Sequence, residues 1–260
     1  LFDFLQLVNN ENMKIYRRVR TWIMLGILLV LTLSISLLTY IYSGNISPSM
    51  WDLMQIQSVM SIMLVTVFTV VIAAETVAGE FSTGTIKLLM IRPWSRSKIL
   101  LSKYVSLLLF GLFFMAVIFV WTIVTNMLFF GYDASPIMGS DMSQLTYWLL
   151  NYGAEFITMI VIVTLAFLIS TVFRSGGLAI GLSLFILLGG SIVTGIIRML
   201  DYAWVDYLLF ANLSLSEYIL GDASSITGKP LGFTLGVLAG YYVLFIAITW
   251  TVFNRRDIAS

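Results

Sequence analysis

The chain has 260 residues, 60% of them apolar and 10% charged, with a net charge of +1. Soluble domains carry roughly a quarter charged residues, so this composition excludes a water-soluble fold and calls for a bilayer. With no cysteine there is no disulfide, thiolate metal site or thiol nucleophile, and with no histidine the commonest general base and metal ligand are missing. A metalloprotease or Ser-His-Asp hydrolase is therefore excluded, no metal site is expected, and no catalytic residue is assigned.

The first 21 residues are basic and amphipathic. Leu5, Val8, Ile15, Val19 and Trp22 recur at near-helical spacing, with Lys14, Arg17 and Arg18 between them. The pattern suits a helix in the inner interface, its cations toward anionic headgroups; the plainer reading is a basic flank of the first span. The apolar stretch that follows is too long for a removable signal and lacks a small-residue cleavage site. A helix needs roughly 20 apolar residues to cross a hydrocarbon core about 30 Å thick. Six segments qualify, at about 22–42, 56–78, 105–130, 147–173, 178–197 and 231–253. Pro48, Pro93, Pro136 and Pro230 all fall between them, where a missing backbone donor costs least.

Twelve of the fourteen Lys and Arg residues lie on one side of that six-span topology. By the positive-inside rule both termini are expected in the cytoplasm. Five of those cations, Lys87, Arg92, Arg96, Lys98 and Lys103, sit in or beside the loop 79–98. Gly79 and Gly84 punctuate the end of the second span. Thr85 to Arg92 reads as a short amphipathic helix that Pro93 terminates, and Ser95 or Ser97 offers an N-cap for the next helix. Such a helix across a hairpin is a docking element, able to turn a partner's rigid-body motion into tilting of spans two and three. The bland alternative is that its charges only enforce topology. A phosphate loop is ruled out, because the Lys that reaches the phosphates is missing and no strand precedes it.

These residues carry a family resemblance. The start Asn10-Glu11-x-x-Lys14, the run Gly79-Glu80-Phe81-Ser82-x-Gly84-Thr85-Ile86-Lys87-x-Leu89 and the following Arg92-Pro93-x-Ser95-Arg96 resemble the ABC-2 type permease subunits of bacterial ATP-binding-cassette exporters. The resemblance implies an all-α, type V exporter-like fold over 1–260, in which residues 1–21 form an elbow helix and two six-helix halves pack together. It makes the 79–98 loop the coupling loop, with Glu80, Gly84, Thr85, Ile86, Lys87, Leu88, Arg92 and Arg96 meeting the ATPase. No nucleotide-binding domain is present in the chain. ATP and Mg are thus expected on a separate ATPase subunit, used in two copies beside a second copy of this permease or a similar one. No nucleic-acid partner is expected, and the location implied is the bacterial cytoplasmic membrane.

Within the spans, Glu75 lies about one turn before the inner end of the second, and a carboxylate there is functional by default. The competing reading pairs it with a cation of its own loop, such as Lys87 or Lys103. Glu155 is the deeper acid, facing a water-filled cavity or a neighbouring helix. Asn126 and Asn151 suit interhelical hydrogen bonds. Gly232, Gly236 and Gly240 form a stripe for close packing inside one subunit or along a dimer seam. Gly189 and Gly190, with Ser191, weaken the fifth span where bending would serve a gate. The loop 201–230 carries Tyr202, Trp204, Tyr207 and Phe210, either an exit cap or an aromatic belt at the outer interface.

The function expected is that of the permease subunit of an ATP-driven exporter. It would move an amphipathic cargo such as a peptide, lipid or drug outward by alternating access. The alternatives are an ion-coupled secondary transporter using Glu75 and Glu155, and a membrane sensor or immunity protein that binds a peptide antibiotic.

Overall fold

The computed structural model describes residues 2–43, 48–85, 94–133, 142–199, 202–219 and 228–255. Seven α-helices account for most of them: α1 Phe2–Tyr16, α2 Val19–Tyr42, α3 Met50–Ser82, α4 Arg96–Phe130, α5 Gln144–Val172, α6 Gly176–Arg198 and α7 Leu231–Arg255. Three short 3-10 turns, Ala203–Tyr207, Leu209–Asn212 and Leu215–Tyr218, lie between α6 and α7. No strand occurs among the described residues. Helices α2 to α7 are each long and apolar enough to cross a membrane, so the chain is a multi-pass membrane protein.

The helix starts follow from side-chain caps. Ser49 caps α3 and Asp52 closes a capping box with it, while Ser95, Ser143 and Ser175 accept from the first-turn amides of α4, α5 and α6. Of the two serines anticipated for α4, Ser95 is the one used. Helix α3 ends at Ser82, with Gly84 at φ +72° supplying the left-handed turn that closes a helix C-terminus. Gly79 does not punctuate the span; it lies inside α3, where Gly176 of α6 packs against it and a Cβ there would sit 3.7 Å from the Gly79 Cα.

Helix α3 is the hub, packing against α2, α4, α5 and α6, while α7 leans on α5 and α1 on α4. Both α3, with 33 residues, and α4, with 35, outrun the spans anticipated from hydropathy. At about 1.5 Å per residue they are roughly 50 Å long, well beyond a hydrocarbon core of about 30 Å. Residues 86–93, which hold most of the anticipated coupling helix (Ile86, Lys87, Leu88 and Arg92), lie outside the described residues.

Hydrophobic packing alone does not hold membrane helices together, since lipid is as apolar as leucine; buried hydrogen bonds supply specificity. Here Asn126 of α4 donates to Gln57 Oε1 of α3 at 2.9 Å, and Gln57 donates to Ser36 Oγ at 2.7 Å and to the Thr32 carbonyl of α2 at 3.0 Å. Ser36 closes the ring on Asn126 Oδ1 at 2.7 Å. All three side chains are fully buried. Asn126 thus makes the interhelical bonds anticipated for it, whereas Asn151 lines a cavity described below. Of the two readings of the α7 glycine stripe, packing inside one subunit is not what the structure shows: a Cβ at Gly232, Gly236 or Gly240 would meet nothing within 4 Å, so the stripe packs against none of the described residues. Thr234, Leu238, Phe245, Thr249 and Phe253 form the buried face instead.

Replacing Asn126 with Leu leaves Gln57 Oε1 without its donor and the Ser36 hydroxyl without its acceptor. We expect a loss of about 1–2 kcal/mol in detergent unfolding, set against no change for Leu128→Ala, whose side chain is 78% exposed.

Candidate functional site

The end of the bundle that carries the basic residues holds a charged cavity of about 820 Å³ between α1, α3, α4 and the start of α6. Its centre is an ion ring. Lys103 of α4 is 1% exposed and meets Glu11 Oε2 of α1 at 2.9 Å and Glu80 Oε1 of α3 at 2.5 Å. Lys14, one turn along α1 from Glu11, closes the ring at 2.6 Å to Glu11 Oε1 and 3.2 Å to Glu80 Oε1. The two carboxylates and two ammonium groups balance. A buried ammonium is tolerated only when paired in this way, so the cluster fixes three helix ends relative to one another. Next to it, Glu75 of α3 accepts from Arg18 at 2.8 Å and from Arg20, the two cations at the break between α1 and α2.

Glu75 is therefore paired, as one of the sequence readings held, but its partners are Arg18 and Arg20 rather than Lys87 or Lys103. Contact order along the chain hides this, because the α1–α2 junction folds back over the end of α3. Glu80 was anticipated as a residue meeting a partner, and it is turned inward onto Lys103 and Lys14. Arg96 donates to the Asn254 carbonyl at 3.1 Å, tying the start of α4 to the end of α7. Gly84 and Thr85 are exposed beyond the ring, with Thr85 Oγ1 2.9 Å from Thr83 Oγ1. Lys103 and Glu11 are side chains of this site that the sequence reading names, as a loop cation and in the N-terminal motif, without giving them a place in it. The signal available was the i, i+3 pair Glu11 and Lys14, which marks an ion-pairing face on α1.

At the opposite end, the remaining candidates separate. Glu155 and Ser191 share the wall of a second cavity, of about 500 Å³, between α3, α5, α6 and the 3-10 turns. Glu155 Oε1 accepts from Ser216 at 2.8 Å. Gly189 and Gly190 do not interrupt α6, which runs helical from Gly176 to Arg198. Gly190 has another use: a Cβ there would lie 2.3 Å from the Phe210 ring, so the missing side chain is the seat for that aromatic. Tyr202, Trp204 and Tyr207 are each more than half exposed, and Tyr202 stacks on Trp204 at 6.3 Å. Tyr207 is held through its carbonyl, which accepts from Tyr241 of α7. Among the described residues no group of three or more acidic side chains is placed to hold a metal.

The ion ring sets a pH window. Burial acts to raise the Glu11 carboxyl, but Lys103 and Lys14 outweigh it and hold it below its ordinary value of 4.5. Burial acts to lower Lys14, and Glu11 with Glu80 outweighs it, holding the ammonium above 10.5. A lowered acid contributes stability above its unfolded value that is lost as pH falls through the folded one; a raised base contributes stability below its unfolded value that is lost as pH rises through the folded one. The melting temperature of the purified protein is accordingly expected to stay flat between these limits and to drop on both sides. Lys103→Met leaves two carboxylates sharing the single ammonium of Lys14 and is expected to cost about 3–5 kcal/mol. Combining it with Glu11→Gln and Glu80→Gln should recover much of that loss, as thermal unfolding would report.

The chain belongs to a family described as Protein of unknown function (DUF2705), which matches residues 22–259. It is similar to the "Uncharacterized protein YhcI" of Bacillus subtilis (strain 168), with 31% identity over 98% of this chain and 100% of that protein. It is also similar to the "Uncharacterized membrane protein YdbK" of the same organism, with 28% identity over 75% of this chain and 78% of that one.

Proposed function

We propose that the chain is the permease subunit of an ATP-driven exporter of the ABC-2 type, working as two permease copies on two separate ATPase subunits. The observation that carries this reading is the ion ring at the base of the 86–93 segment. Glu80 lies in the last turn of the helix entering that segment, Lys103 about two turns into the helix leaving it, and Glu11 with Lys14 joins both to α1. A push on the segment is thus delivered to α1, α3 and α4 together rather than absorbed by one loop. In this reading Ile86, Lys87, Leu88 and Arg92 make the ATPase contact, and Glu80 transmits the push. α1 is the elbow helix, both termini are cytoplasmic, and ATP with Mg resides on the partner.

Closure of the ATPases then tilts α3 and α4 and shuts the 820 Å³ cavity. Cargo leaves at the opposite end, past the turns that carry Tyr202, Trp204, Tyr207 and Phe210. An ion-coupled mechanism using Glu75 and Glu155 as a pair of sites is less well supported, since Glu75 is already neutralised by Arg18 and Arg20.

The test is purification of the tagged chain from its host in mild detergent, with mass spectrometry of what accompanies it. A stoichiometric soluble protein with a nucleotide-binding phosphate loop is the expected result; recovery of the chain alone in several detergents overturns the reading. In the recovered complex, Arg92→Ala should loosen the ATPase while leaving the melting temperature of the permease unchanged. Glu80→Ala should lower both.

A further inference from the structure

The cavity beside Glu155 has an unbalanced charge. Its wall includes two carboxylates, Glu155 and Glu217, and no Lys or Arg. Among the described residues neither acid has an ion-pair partner; Glu155 receives only the Ser216 hydroxyl. The two cations at this end are engaged elsewhere. Lys229 pairs with Asp206 at 3.0 Å, and Arg198 donates to the Ala211 carbonyl at 3.3 Å. The connecting segments 44–47, 134–141, 200–201 and 220–227 contain no Lys or Arg that could supply the missing charge. An acid set eleven residues into a membrane helix is costly unless something compensates it.

The rest of the wall describes what does. Val59, Ile62, Leu187 and Leu188 offer an apolar surface, and Tyr147 and Trp148 an aromatic one. Trp148 is only 5% exposed, yet its indole N–H has no acceptor among the described residues. A buried donor left unpaired is unfavourable by about 1–3 kcal/mol, which an acceptor on a ligand would relieve. A positive group, a carbonyl oxygen and an apolar side chain close together are the features of a basic, apolar peptide. We propose that this cavity binds such a peptide, its ammonium or guanidinium group between Glu155 and Glu217, a carbonyl on Trp148 and an aliphatic side chain against Val59 and Leu188. The size agrees, since ligand pockets commonly enclose about 300–1,000 Å³. The inference stands on the cavity and does not depend on an ATPase partner.

The experiment is equilibrium binding to the purified chain in neutral detergent. The probe is a dansyl-labelled tripeptide amide of one lysine and two leucines, compared with the same peptide acetylated on its lysine side chain. The lysyl peptide should bind the wild type at least about tenfold tighter than the acetylated one. Glu155→Gln should abolish that preference and Glu217→Gln should reduce it, while Trp148→Phe should weaken both peptides alike. Glu217 is exposed on a turn, so its variant carries the test even if Glu155→Gln fails to fold. Equal affinity for the two peptides, or a preference that survives both acid variants, overturns the proposal. So does displacement of the lysyl peptide by an equal concentration of phosphatidylethanolamine in the micelle, which would make the occupant an aminolipid.

Discussion

One buried ammonium organises the basic end of this bundle. Lys103 is 1% exposed, and taking its charge out of water is acceptable only with Glu11 and Glu80 in contact. That requirement dictates where α1 lies, because Glu11 reaches Lys103 only when α1 packs along α4. Tyr16 then meets Phe110 and Phe113, and Ser106 donates to the Val8 carbonyl at 3.1 Å. With α1 in place, the break at Arg17 and Arg18 brings Arg18 and Arg20 over Glu75. The charged cavity is what remains between these pairs. Its polarity follows from the pairing, and the pairing from one lysine placed a little too deep for water to reach.

The opposite end has the reverse economy of charge. Acids outnumber cations there, and the cations present are satisfied by neighbours within the 3-10 turns. The chain therefore presents two cavities of different character. One is balanced internally and framed by ion pairs that span three helices. The other is largely apolar and aromatic, with carboxylates that have no ion-pair partner among the described residues. They are separated by the uncharged middle of the bundle, where the Asn126, Gln57 and Ser36 ring links α2, α3 and α4.

Much of the architecture is legible in the sequence because a bilayer imposes a coarse rule: about twenty apolar residues per crossing. All six spans follow from it, and the serine before α4 is identifiable as a cap. Helix ends are not, since α3 continues through Gly79, which reads as a turn signal in one dimension, and α4 begins nine residues before the span that hydropathy marks. The acids show the same division. Glu75 and Glu155 stand out as intramembrane carboxylates, but the partners of Glu75 are more than fifty residues away in sequence and only folding brings them together. Gln57, whose partners come from α2 and α4, and Gly190, whose reason is Phe210 from another segment, are likewise intelligible only once neighbours are known. The α7 glycines carry a spacing that suggests contact, yet spacing alone does not say with what.

The unequal helix lengths have a mechanical consequence. Helix α6, with 23 residues, is about 35 Å long and nearly matches a bilayer, whereas α4, with 35 residues, reaches about 18 Å further. The membrane grips the short helix over its whole length and the long ones over only part. In the exporter reading proposed above, the part of α4 from Arg96 to Lys103 would be a lever arm, with the ion ring at its inner end. If the chain works as the exporter subunit proposed above, bilayer thickness becomes a control on leverage: a thicker membrane shortens the free arm and a thinner one lengthens it.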